Sequence, residues 1–200
     1  MCTAYELGKR GGSFPQRANA EAIHILLGLE EAEQLIRPTV PALVMTADGG
    51  ISTMRWGFSR PFSHAIVNAR EDKLDSVVWK SALAERRCLI PAAAYYEWSG
   101  PTGHKRTHRF TAPDGGWLWI AGIWEENVEL GPCFSMITTT ANTVAAPVHN
   151  RMPAVLGPQE IDAYLDGASA TFRPAPERLC VADAVNPLRK KSGPVQGELF

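Results

Sequence analysis

The chain of 200 residues has little excess charge, no closely spaced cysteines and no long apolar run. Its 20 basic and 21 acidic residues leave a net charge of −1. No global basic field therefore advertises nucleic acid, and any DNA-binding surface must be local. No apolar stretch approaches the roughly 18 residues of a membrane span, and the N-terminus lacks an apolar h-region followed by a cleavage site. No membrane association is expected, and the cytoplasm is the expected compartment. Cys2, Cys88, Cys133 and Cys180 are scattered without a C-x-x-C pair, which argues against a zinc ribbon or a disulfide scaffold. Repeats, low-complexity tracts and an interdomain linker are missing as well.

What is present reads as one ordinary globular domain. Hydrophobic residues make up 45% and charged residues 20%, enough to bury a real core at this length. Residues 3–17 are polar and glycine-rich, a leader that the fold must pin down. The periodicity from Asn19 to Leu35 predicts a helix with Ile23, Leu26, Leu27 and Leu35 on one face and Gly28 as an interruption. Pro41 to Thr46 and Ile51 to Phe58, separated by Asp48-Gly49-Gly50, predict a hairpin. Residues 76–87 predict a helix ending in Arg86-Arg87, whose charges suit a helix C-terminus. Residues 88–98 read as strand, turn, strand.

Residues 106–125 predict a second hairpin with Pro113 to Gly116 at its tip and Trp117, Trp119, Ile120 and Ile123 filling the return strand. Phe134 to Thr138 predicts a strand, Pro158 to Leu165 a helix, and an irregular tail follows. Cys88 and Cys133, inside apolar strand-like runs, are expected to be buried. The fold class is α+β, a mixed, mostly antiparallel or barrel-like sheet with peripheral helices.

Met1-Cys2 carries the first chemical signal. Methionine aminopeptidase removes an initiator Met that precedes a small side chain, so the mature chain is expected to begin at Cys2. An α-amine with a pKa of about 7.7–8.0 and a thiol near about 8.5 would then share one residue, both substantially nucleophilic at neutral pH. An aldehyde meeting this pair forms a Schiff base, and the thiol closes a thiazolidine ring. Alternatively the amine serves as base for the thiol in amide hydrolysis. The plain alternative is a small apolar residue at a chain end.

Three polar residues conflict with their apolar surroundings. Glu97, in Tyr95-Tyr96-Glu97-Trp98, either faces solvent on an alternating strand or points inward as a general acid or base. His149 lies between Pro147 and Pro153, and its type suits proton transfer. Asn68 is a turn former or a side-chain donor to an oxygen. A basic run, His104 to Arg109, is equally a phosphate track or a solvated loop.

Met1-Cys2, Trp56-Gly57, Asn68-Ala69-Arg70, Arg87-Cys88-Leu89-Ile90-Pro91-Ala92, Tyr96-Glu97-Trp98, Ala121-Gly122-Ile123-Trp124-Glu125, Thr138-Thr139-Thr140-Ala141-Asn142 and His149-Asn150-Arg151-Met152-Pro153 occur in one order. In that order they resemble the SOS response-associated peptidase (SRAP) family, whose members cross-link to abasic sites in single-stranded DNA. The likeness runs from residue 2 to about 155. It extends more loosely through Val185-Asn186-Pro187-Leu188 and Lys190-Lys191.

The resemblance implies that Cys2 attacks the C1′ aldehyde of a ring-opened abasic deoxyribose. Glu97 and His149 would move protons, and Asn68 would hold the α-amine or sugar. Arg70 and Arg151 would contact phosphates, Trp98 would stack or wedge against a base, and Pro38 would lie at the site's edge. No metal or organic cofactor is implied. One domain over residues 2–190, a flexible tail over 191–200, a monomeric state and a nucleoid-associated role are expected.

Two departures stand out. The usual Met-Cys-Gly-Arg is here followed by Cys2-Thr3-Ala4-Tyr5, without the basic residue, and the loop after Trp56-Gly57-Phe58 is short. The C-terminus, Gln196-Gly197-Glu198-Leu199-Phe200, resembles the peptide by which bacterial repair proteins dock on the replication sliding clamp, with Gly197 in place of Leu. Two rival functions stay open: a Cys2-dependent thiol peptidase, and a non-covalent reader of modified or single-stranded DNA. AP-lyase-like cleavage is a further possible outcome of the same chemistry.

Overall fold

A computed structural model describes residues 2–30, 34–168, 172 and 176–189. Strand β1 (Tyr5–Leu7) leads to helix α1 (Ala20–Leu27), then to β2 (Gln34–Ile36) and the hairpin of β3 (Pro41–Thr46) and β4 (Ile51–Trp56). Short strands β5 (Phe58–Arg60), β6 (Ser63–Ile66) and β7 (Asn68–Arg70) precede helix α2 (Lys80–Glu85). Strands β8 (Arg87–Ala92), β9 (Ala94–Ser99), β10 (Arg106–Thr111), β11 (Leu118–Asn127), β12 (Gly131–Thr140) and β13 (Arg151–Pro153) follow. Helix α3 (Pro158–Leu165) and β14 (Cys180–Ala184) complete the order.

β11, β8, β3, β4 and β12 pair in that order, and β11 also pairs with β12, so these strands close into a barrel. Closure leaves no free edge around the ring. A second sheet runs β14, β10, β9, β1, β2. The class is thus α+β and mostly antiparallel around a barrel, as the sequence implies. Aromatic rings tie the layers together: Trp56 of β4 lies parallel to Phe134 of β12 at 6.3 Å and receives Tyr5 of β1 edge-on at 5.0 Å. That contact seats the N-terminal strand against the barrel wall. No helix among the described residues is long and apolar enough to cross a membrane.

The hairpin of β3 and β4 forms as its turn dictates. Asp48 accepts from Gly50 N–H at 3.1 Å and from Thr46 Oγ1 at 2.6 Å, while Gly49 takes a φ of 84°, which a Cβ would resist. Cys88 and Cys133 are buried, and Trp117, Trp119, Ile120 and Ile123 fill the core.

Other elements depart from expectation. The first helix stops at Leu27, capped by Asn19 Oδ1 on Ala22 N–H at 2.8 Å and closed by Gly28 N–H on His24 O. Only Ala22 and Leu26 bury, Leu27 is exposed, and Leu35 belongs to a strand. The short apolar face could not carry the helix past Gly28. Residues 106–125 make no hairpin, because β10 pairs with β9 and β14 whereas β11 pairs with β8 and β12. The tip residues are instead a crossing between sheets.

The second helix is confined to Lys80–Glu85, and Arg87 starts a strand. Buried Arg87 nevertheless donates to Leu83 O at 2.8 Å, a helix carbonyl, and also to Tyr164 O and Ala168 O. The tail contains a strand where irregular chain was expected. Residues 191–200, with the clamp-like peptide, lie outside the described residues.

Candidate active site

The site is built where β1 docks on β9. Antiparallel register sets Tyr5 opposite Tyr95 and Glu6 opposite Ala94. Continuing toward the N-terminus, the Ala4 carbonyl accepts both Tyr96 N–H at 3.0 Å and the Cys2 thiol at 3.4 Å. The sulfur is therefore held against β9 and is buried. On the other side, Asn68 at the start of β7 donates Nδ2–H to the Cys2 carbonyl at 2.8 Å. Asn68 Oδ1 is buried without a hydrogen-bond partner among the described residues, so an acceptor stands beside the Cys2 backbone.

Burial pushes the Cys2 thiol up to about 12, and the charge of nearby Glu97 adds to the effect. At neutral pH the resting group is a thiol, not a thiolate. Here the fold favours the protonated sulfur, by contrast with a solvent-exposed terminal cysteine, whose thiol would ionise near its ordinary value. Glu97 is buried, which removes the solvent-facing alternative. Its Oε1 lies 3.4 Å from Trp98 N–H.

Asn68, Arg70, His149 and Arg151 lie along the far half of β12. β7 runs parallel to it with Asn68 at Met136 and Arg70 at Thr138, and β13 runs antiparallel with Arg151 at Thr140. His149 stands just before β13, half-buried, its Nδ1 accepting Arg151 N–H at 2.9 Å. Exposed Arg70 grips Asp72 through Nε at 3.0 Å and Nη2 at 2.7 Å. Arg151 reaches the same carboxylate at 3.4 Å and donates to the Thr138 carbonyl. Desolvation lowers the Arg151 pKa, and Asp72 is held below the usual carboxylate range by Arg70. Two guanidiniums are thus preset on one surface by a shared carboxylate.

Trp98 is half-buried and lies over Tyr96, ring centres 6.5 Å apart. Pro38 sits in the turn after β2, and the β1–β2 register, Tyr5 to Ile36, runs it toward Thr3. In the basic run Arg106 binds Asp183 at 2.6 Å, and Arg109 binds Glu6 at 2.5 Å. Among the described residues no group of three His, Cys, Asp or Glu side chains gathers as a metal site.

Sequence reasoning missed two supports. Asp72 was signalled only by its spacing from Arg70. Glu6 is buried, accepting from Tyr96 Oη and from Arg109; its signal was an acid amid the apolar neighbours Tyr5 and Leu7.

Known proteins agree with this architecture. A protein from Bacteroides thetaiotaomicron superposes with a TM-score of 0.72 at 17% identity, covering 92% of this chain and 93% of its own. One from Bordetella bronchiseptica gives 0.67 at 23%, covering 92% and 100%. These likenesses concern the fold.

In sequence, the abasic site processing protein YoqW of Bacillus subtilis is 26% identical over 146 residues, 66% of this chain and 65% of that one. The abasic site processing protein HMCES of Gallus gallus is 30% identical over 134 residues, 54% of this chain and 40% of that one. The chain thus spans just under two thirds of YoqW and less of HMCES. The pattern of the SOS response associated peptidase (SRAP) family matches residues 1–189, taking in β1, β9, β12 and every strand between them. On that match, the chain belongs to the SRAP family.

Proposed function

We propose that this protein captures abasic sites in single-stranded DNA by forming a thiazolidine at Cys2. The observation that carries the reading is the seating of Cys2: its carbonyl on Asn68, its sulfur against β9, and Glu97 beside it. The relatives named abasic site processing proteins support the same substrate. After Met1 is removed, the Cys2 amine adds to the C1′ aldehyde of the opened deoxyribose and water leaves, giving a Schiff base. The sulfur then bonds to C1′ as the C=N π bond breaks, and the thiol proton passes to nitrogen.

Glu97 moves protons in ring opening and closure, and Asn68 Oδ1 accepts from the Cys2 amine. His149 serves the sugar oxygen, in reversal or in a β-elimination that would give lyase-like cleavage. Arg70 and Arg151 hold phosphates, while Trp98 and Pro38 bound the neighbouring base. This chemistry needs side chains alone, without metal or organic cofactor. We assign residues 2–190 to one monomeric domain that acts on DNA in the cytoplasm. The peptide at 196–200 would dock on the sliding clamp, an idea that unchanged clamp binding after deleting those five residues would end.

The test is intact mass spectrometry after incubation with single-stranded DNA carrying one abasic site. A species of protein lacking Met1 plus oligonucleotide minus water, absent in Cys2→Ala, is expected. A Cys2-terminal protein that binds DNA and gives no adduct would refute the proposal in favour of a non-covalent reader. Release of peptide fragments without adduct would favour a peptidase.

A further inference from the structure

Two buried phenols near Cys2, those of Tyr5 and Tyr95, have hydroxyls with no acceptor among the described residues. Tyr5 and Tyr95 face each other directly across β1 and β9, so they share one face of the sheet with Cβ atoms about 5 Å apart. Both side chains are fully buried, and neither hydroxyl has a hydrogen-bond partner among the described residues. Each such hydroxyl costs about 1–3 kcal/mol. The rings alone would be served by phenylalanine: Tyr95 stacks on Phe110 at 4.6 Å with planes 2° apart, and Tyr5 meets Trp56 edge-on. The oxygens, not the rings, call for a reason.

The surroundings supply one. The Cys2 thiol shares the Ala4 carbonyl with Tyr96 N–H, so the sulfur lies next to the residue following Tyr95. Glu97 is two residues from Tyr95 on the same strand face. Burial first, and then charge at Cys2, holds both phenols well above their usual range. They therefore remain O–H donors throughout the neutral pH range.

We propose that Tyr95, assisted by Tyr5, is a further catalytic residue that donates a hydrogen bond to the Cys2 sulfur as it loses its proton in ring closure. This rests on the thiazolidine reading above. The acceptor is created by the reaction itself. As S–H breaks, charge develops on sulfur, the S–C1′ bond forms, the C=N π pair moves to nitrogen, and nitrogen takes the proton. A donor idle in the resting state and engaged only when charge appears lowers the barrier without stabilising the ground state.

The experiment separates the two chemical steps. Wild type, Tyr95→Phe and Tyr5→Phe are mixed with abasic single-stranded DNA and sampled with and without borohydride, which traps the Schiff base but not the thiazolidine. Tyr95→Phe should form the trappable imine at the wild-type rate and close the ring roughly 10- to 100-fold more slowly. Tyr5→Phe should give a smaller delay of the same kind. Closure at the wild-type rate in both variants would overturn the proposal. Equal loss of imine and thiazolidine in a variant that unfolds at the wild-type temperature would also overturn it, by placing the residue in binding. Should Tyr95→Phe fail to fold, the donor role is still refuted if Tyr5→Phe closes the ring as fast as wild type. Absence of any adduct in the wild type would instead remove the underlying reading.

Discussion

Replacing Glu6 with Gln tests whether a buried charge pins the strand that presents Cys2. Glu6 is buried and accepts three donors, Tyr96 Oη on one oxygen and Arg109 Nε and Nη2 on the other. Burial, then the Glu6 contact, pushes Tyr96 up to about 12, so its hydroxyl stays a donor. Glutamine keeps the shape and can satisfy Tyr96, but its NH2 then faces the guanidinium, donor against donor. Charge-assisted hydrogen bonds contribute about 1.5–3 kcal/mol, discounted here because Arg109 is 29% exposed. A net loss of about 2 kcal/mol is expected, which lowers the midpoint of thermal unfolding by roughly 4–8 °C at this chain length. Melting followed by circular dichroism reads the shift. A cycle with Tyr96→Phe should show coupling of about 0.5 kcal/mol or more. A shift below about 1 °C, with no coupling, would mean that backbone pairing alone seats β1.

Three other outcomes follow from the geometry. Thiol and phenol pKa values raised by burial in the fold favour the protonated forms. The stability from Cys2 is therefore complete below its ordinary 9.0 and is lost as pH climbs through about 12. Tyr5 and Tyr95, raised in the same direction, extend the loss, so urea midpoints should fall steadily above about pH 9; a flat profile there would refute the burial argument. Arg70→Ala should reduce the salt dependence of DNA binding by about one phosphate contact, whereas Asp72→Asn should strengthen binding by removing a competing carboxylate. Identical salt slopes for Arg70→Ala and wild type would separate this surface from the phosphates. Gly49→Ala should destabilise by about 2 kcal/mol or more, since a Cβ there would stand 1.9 Å from the Arg17 carbonyl at a φ of 84°; chemical unfolding within about 0.5 kcal/mol of wild type would contradict it.

Local rules settled a good part of this protein. The Asp48-Gly49-Gly50 turn sets its hairpin because it needs only neighbouring residues, and Pro158–Leu165 is a helix for the same reason. Ordered motifs in the chain were enough to indicate the family and to single out Cys2, Asn68, Glu97, Arg70 and Arg151. Pairing partners were not legible. An alternating segment such as Arg106–Thr111 shows that it is a strand, while its neighbours β9 and β14 are chosen by which faces must be buried together. The helix expected to reach Leu35 failed likewise, because tertiary contacts cover only Ala22 and Leu26.

The site divides along the same line. Sequence supplied the reactive types; only folding brought residues 2, 68 and 97 together. It also set the state of the sulfur, whose proton is held by burial that no neighbouring residue encodes. Residues 5 and 6 read as part of a polar leader and Tyr95 as an ordinary strand residue, until β1 lay between β9 and β2 and buried all three. Composition and local spacing are properties of the chain, but the burial of Cys2 and the unpaired hydroxyls of Tyr5 and Tyr95 among the described residues are properties of the packed interior, because they depend on which strands meet.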